Sequence, residues 1–155
     1  MKKEEKTTGT LENILMNADA SSAAKYLSEN QESLVSGERF FSSTFKEVAK
    51  QKGIRLQNVF LAADISEGYG YKLISQEKHT RQRDTVLRLL LGAHCTLKEA
   101  QTLLKLYGMS ELYARIPRDA VLIIAFNTGM YEVEDVNELL LQHGMEPLKP
   151  AKTSE

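Results

Sequence analysis

Leu56-Gln57-Asn58-Val59-Phe60-Leu61-Ala62-Ala63-Asp64-Ile65-Ser66-Glu67-Gly68-Tyr69-Gly70-Tyr71-Lys72-Leu73-Ile74-Ser75-Gln76 contains two short apolar periodicities separated by a tight connection. Val59, Phe60 and Ala63 recur at helical spacing, so the first half is expected to be a helix over 56–63 with those side chains turned inward. Asp64-Ile65 interrupts the pattern. Ser66 is a fitting N-cap for a second helix reaching about Gln76, and Glu67 just inside it complements the positive end of that helix. Gly68 and Gly70 fall within this second helix, where each costs roughly 1 kcal/mol relative to Ala. Glycines there admit one use at once, the close approach of another helix.

Outward from this stretch the helical spacing continues, and the chain reads as all-α. Upstream lie a polar tail, a weak segment over 11–16, a helix over about 21–30 and a longer one over 38–51. The longer helix places Phe41, Phe45, Val48 and Ala49 on one face before Gly53 stops it in a C′ position. Downstream, Arg83-Asp84-Thr85-Val86-Leu87 is echoed by Arg118-Asp119-Ala120-Val121-Leu122, and Leu103-Leu104 with Gly108-Met109 by Leu139-Leu140 with Gly144-Met145. The two shifts differ by one residue, which indicates a duplicated helical hairpin with a one-residue insertion. Thr96-Leu97-Lys98-Glu99 is a capping box, so the first copy has helices over about 81–93 and 97–107. Ala120-Val121-Leu122-Ile123-Ile124-Ala125-Phe126 could be a buried strand by β-branching alone. Pro117 at an N1 position and the repeat register favour a buried helix instead, followed by a last helix over about 132–143.

A chain of 155 residues with 42% hydrophobic side chains can bury one sizeable core. One Cys excludes a disulfide framework and a Cys-pair zinc site, and Cys95 is expected to be a small buried apolar residue. No run of 18 apolar residues occurs and the N-terminus is polar, so neither a membrane-spanning helix nor a signal peptide is expected, and the protein reads as cytoplasmic. The net charge of −1 hides a partition. Residues 1–44 carry 5 basic and 7 acidic side chains (−2), 45–83 carry 8 and 4 (+4), and 84–155 carry 7 and 10 (−3). The middle is a basic island of Lys46, Lys50, Lys52, Arg55, Lys72, Lys78, Arg81 and Arg83, the local basicity that phosphate contact needs. A solvated mixed-charge face is the plainer reading of the same run.

Residues 38–107 thus read as five short helices whose second and third are joined by Ala63-Asp64-Ile65-Ser66, an order that resembles the Cro and phage-repressor (XRE-type) helix-turn-helix domain. Lys46-Glu47 and Lys52-Gly53-Ile54 match the first helix and its exit, Val59, Ala62 and Ala63 the second helix, Ile65-Ser66 the turn, and Leu73 and Ile74 the core side of the third helix. Tyr69-Gly70-Tyr71, Arg83-Asp84, Leu103-Leu104, Leu112-Tyr113, Arg118-Asp119 and Val136-Asn137-Glu138-Leu139-Leu140 look like a branch of this class found in Gram-positive bacteria, in which the hairpin follows the domain. The resemblance covers 38–147, with a helix-turn-helix domain over 38–107 and a C-terminal helical hairpin over 108–147; outside it lie an N-terminal arm over 1–37 with one or two short helices and no placeable motif, and a tail over 148–155 expected to be loose. The resemblance further implies a transcriptional regulator that binds double-stranded DNA, commonly as a homodimer, with the helix over 66–76 in the major groove.

On that reading Glu67, Gly68, Tyr69, Tyr71 and Lys72 face base edges, while Arg55, Lys78, Arg81 and Arg83 hold phosphates. The set is a weak reader. Glu67 repels phosphate and can accept only from a cytosine amino group, and neither tyrosine makes the bidentate purine contact of Arg, Asn or Gln. Leu56 stands at or beside a position that is often polar in the wider class, and the usual Gly and Pro after the third helix are missing from 76–83. The alternative is a helix-turn-helix-derived module that contacts a protein partner through Tyr69 and Tyr71 and no longer binds DNA. No enzyme, cofactor or metal site is expected. His79, His94 and His143 lack the i, i+4 spacing of a metal pair, His94-Cys95 has no orienting third group, and Gly68-Tyr69-Gly70 lacks the Lys-Ser/Thr of a phosphate loop.

Overall fold

Thr96 and Glu99 satisfy each other's backbone as the capping box requires: the Glu99 N–H donates to Thr96 Oγ1 (3.2 Å) and the Thr96 N–H to Glu99 Oε1 (2.8 Å). In the computed structural model, which describes residues 6–30 and 37–151, that box opens a helix over Leu97–Leu106. Among the described residues all regular structure is helical: α1 (Thr8–Met16), a 3₁₀ turn (Ala20–Ser22), α2 (Ala23–Glu29), α3 (Gly37–Gln51), α4 (Leu56–Ala63), α5 (Glu67–Ser75), α6 (Arg83–Gly92), α7 (Leu97–Leu106), α8 (Pro117–Thr128) and α9 (Val133–Gln142). Pro117 occupies the first turn of α8, and the stretch 120–126 is helical. No described helix is long and apolar enough to cross a membrane.

The chain divides into two units, 1–36 and 37–155. In the first, Thr7 caps α1 and Asp19 caps the 3₁₀ turn, while Lys6 donates to the Asn30 side chain. The periodicity of 21–30 sets Ala23, Ala24, Tyr26 and Leu27 on one apolar side, but that side forms no core, since none of the residues of α2 is buried. In the second unit the segments 38–107 and 108–147 share one hydrophobic core, running from Phe41, Phe45, Val59 and Phe60 through Leu87, Leu90 and Leu103 to Leu122, Phe126, Val136 and Leu140. Cys95 lies in it, fully buried, and burial pushes its thiol up to about 12.

The duplication is visible in the hydrogen bonds. Gln101 holds both the N–H and the carbonyl of Leu112, each at 2.8 Å, and 36 residues on Asn137 accepts from the Leu148 N–H at 2.8 Å. The two Arg-Asp pairs then cross over. Arg118 makes a bidentate bond to Asp84 (3.0 and 3.0 Å), and Arg83 makes one to Asp119. Asp119 also accepts from the Tyr113 N–H (2.9 Å), and Asp84 from the equivalent Lys149 N–H (3.0 Å). Reciprocal contacts of this kind are those of an approximate two-fold axis, here between two copies in one chain.

The same bonds correct the tail. Its start, expected to be loose, is held: Leu148 is buried, and the buried Arg88 donates to the carbonyls of Leu148 and Lys149 (both 2.8 Å) as well as to that of Ala63 (3.2 Å). Residues 152–155 of that tail lie outside the described residues, as do 1–5 and 31–36 of the arm.

Candidate nucleic-acid interface

Helix α4 ends because Asp64 turns left-handed (φ 55), and the Ile65 N–H closes back on the Phe60 carbonyl at 3.0 Å. Ile65 is buried, so the three-residue turn to α5 is fixed from inside. Ser66 occupies the N-cap position of α5, yet its hydroxyl makes no capping bond. Gly70 is the close approach between the two helices, since a Cβ there would stand 2.5 Å from the Phe60 ring. Gly92 plays the same part between α4 and α6, with the Val59 carbonyl oxygen 2.7 Å from where its Cβ would be.

This packing buries Tyr69, Gly70, Leu73 and Ile74 and leaves Glu67, Gly68, Tyr71, Lys72 and Ser75 on the outer side of α5. Tyr71 is 42% exposed, with its ring edge-on to Phe60 (centroids 4.9 Å apart). Glu67 is tied back to α4, accepting from the Gln57 amide at 3.3 Å. Two of the expected contact residues leave the surface set. Tyr69 is only 5% exposed because the helix register turns it into the core. Arg83 is engaged by Asp119, so it neutralises a buried carboxylate rather than standing free for a phosphate. Lys52 is likewise paired, with Glu99 at 3.0 Å.

Arg55, Lys72, Lys78 and Arg81 are exposed, and none forms an ion pair with a described residue. Lys78 and Arg81 project from the connection after α5, which is anchored from beneath. The Thr80 N–H donates to Tyr107 Oη (2.9 Å), the Gln82 N–H to Thr80 Oγ1 (3.0 Å), and the His79 ring stacks on Tyr107 at 4.3 Å. A further cation belongs to the same surface: Lys46 of α3, Lys72, Tyr71, Gly68 and Ser75 of α5 and Glu77 after it line a cleft of about 310 Å³. Lys46 was legible as a member of the basic island, but its place beside α5 depends on the α3–α5 packing, for which no local sequence signal exists.

Among the described residues no three His, Cys, Asp or Glu side chains gather as metal ligands. Compared with known proteins, the chain matches no family model, no curated protein and no solved structure.

Proposed function

We propose that the chain is a cytoplasmic, XRE-type transcriptional regulator that binds double-stranded DNA through α4, the turn and α5, as the second and third helices of a Cro-like five-helix domain spanning α3 to α7. The observation that carries this reading is the division of α5 into a locked inner face and an outer face bearing Tyr71 and Lys72, flanked by exposed Arg55, Lys78 and Arg81, which form no ion pair with a described residue. A rigidly held helix with free cations beside it suits major-groove docking, in which phosphate contacts position the helix and a few side chains reach bases. Lys72 stands where it can reach a guanine edge or a phosphate oxygen, and Tyr71 a thymine methyl or a phosphate oxygen. Arg55, Lys78 and Arg81 hold phosphates, and a homodimer places two such helices in successive grooves. Titration of a labelled random-sequence duplex at low salt tests the reading. Lys72→Ala with Arg81→Ala is expected to weaken binding without lowering the melting temperature, and unaltered affinity in that variant would overturn it.

A second reading, protein contact through the same turn, is supported by Leu61, 81% exposed on α4 beside the turn, and by the carboxylate of Glu67 on the outer face of α5. It requires that Leu61→Ser with Tyr71→Ser abolish capture of a partner protein while Lys72→Ala does not.

A further inference from the structure

We infer that Gly68 marks where a bound duplex comes nearest the backbone of α5, and that the cleft beside it seats one strand's sugar-phosphate backbone between Lys46 and Lys72. This rests on the DNA-binding reading of the same face. Two glycines interrupt α5, and the fold accounts for one of them. At Gly70 a Cβ would collide with Phe60; at Gly68 a Cβ would meet nothing within 4 Å. Gly68 has no left-handed backbone to permit either, since the positive-φ glycines are Gly53, Gly108, Gly129 and Gly144. Nothing inside the described molecule calls for glycine at 68, although Ala would make the better helix. A glycine on an exposed helix face that the fold does not need suits close approach from outside.

What surrounds it defines the visitor. Tyr71 and Lys72 lie one turn further along the same face, and Lys46 reaches the cleft from α3. Both ammonium groups are exposed and without a described carboxylate partner. Two cations lining one cleft with a spot that lacks a side chain match a phosphodiester: the charges neutralise it, and the missing methyl lets it lie against the helix. Among the described residues Glu77 is the one carboxylate lining the cleft, and it moderates the attraction.

The test uses the full chain, Gly68→Ala, Lys46→Gln and, as a control, Lys98→Gln on the exposed side of α7, each melted and titrated with a labelled random-sequence duplex over a salt series. Gly68→Ala is expected to melt about 1–3 °C higher and to bind about tenfold more weakly. Lys46→Gln is expected to reduce the slope of log affinity against log salt by about 0.9, with Lys98→Gln unchanged. If the unaltered chain does not bind duplex, the DNA reading fails and this inference with it. If it binds, but Gly68→Ala binds equally well, or melts lower, or Lys46→Gln keeps the full slope, the inference alone is overturned.

Discussion

Asp84 and Asp119 are buried carboxylates that the fold tolerates because each receives a bidentate guanidinium and a backbone N–H. Burial on its own would raise the Asp84 pKa; the Arg118 hydrogen bonds, the Lys149 N–H and the charges of Arg118 and Arg83 outweigh it and hold the group below its usual 3.8. A carboxyl with a depressed folded pKa stabilises the fold above its unfolded pKa and loses that contribution as pH falls through the folded value. Arg118→Met is therefore expected to cost about 2–3 kcal/mol at neutral pH. The gap from the unaltered chain should close as pH falls below about 4, which urea unfolding at stepped pH measures; a gap independent of pH would contradict the pairing. The sequence showed Arg83-Asp84 and Arg118-Asp119 as equivalents without showing that they touch. Equivalence is a matter of register, whereas contact depends on how two copies fold back on each other, and so Arg83 read as a phosphate clamp.

Helix ends were legible where the signal is local and chemical. The Thr96–Glu99 box, Pro117 at the start of α8 and Gly53 after α3 all act within a turn of their own position. Ser66 had the right chemistry and the right place without forming the bond, and Asp64, Gln76 and His94 adopt left-handed φ values that residues other than glycine seldom announce. The inner side of α5 is half legible: Leu73 and Ile74 fall on the core side as expected, but the resemblance sets Tyr69 outward with the start of the third helix, whereas it is buried. The two glycines that bring helices together give the sharpest test at this scale. Gly70→Ala is expected to destabilise the chain by about 2 kcal/mol, because its Cβ meets the body of a buried ring, with partial rescue by Phe60→Leu. Gly92→Ala should cost more, because the obstacle is the Val59 backbone carbonyl, which a rotamer change cannot move. Denaturant midpoints of the three variants decide it; equal stability of Gly70→Ala and the unaltered chain would contradict the α4–α5 packing.

The second unit as a whole is organised by two hairpin copies that exchange their Arg-Asp bonds, with Arg88 fastening the end of the second copy to the last turn of α4. The hairpin and the candidate interface are thereby one mechanical piece. Ending the chain after Pro147 removes buried Leu148 and two of the carbonyl partners of Arg88. It is expected to cost about 3 kcal/mol of stability in denaturant unfolding, and an unaffected midpoint would show the tail to be dispensable. Charge also has its meaning at this scale. The net −1 is the sum of −2, +4 and −3, and within the positive stretch Lys52 and Arg83 are paired with carboxylates while Arg55, Lys72, Lys78 and Arg81 form no ion pair with a described residue. The direct measurement is the slope of log affinity against log salt for the unaltered chain on a labelled duplex. Arg55, Lys72, Lys78 and Arg81 on phosphates should give a slope near −3.6, about 0.9 for each, and Lys46 in the cleft carries it to about −4.5; no binding at micromolar protein, or an affinity indifferent to salt, would contradict DNA binding by this face.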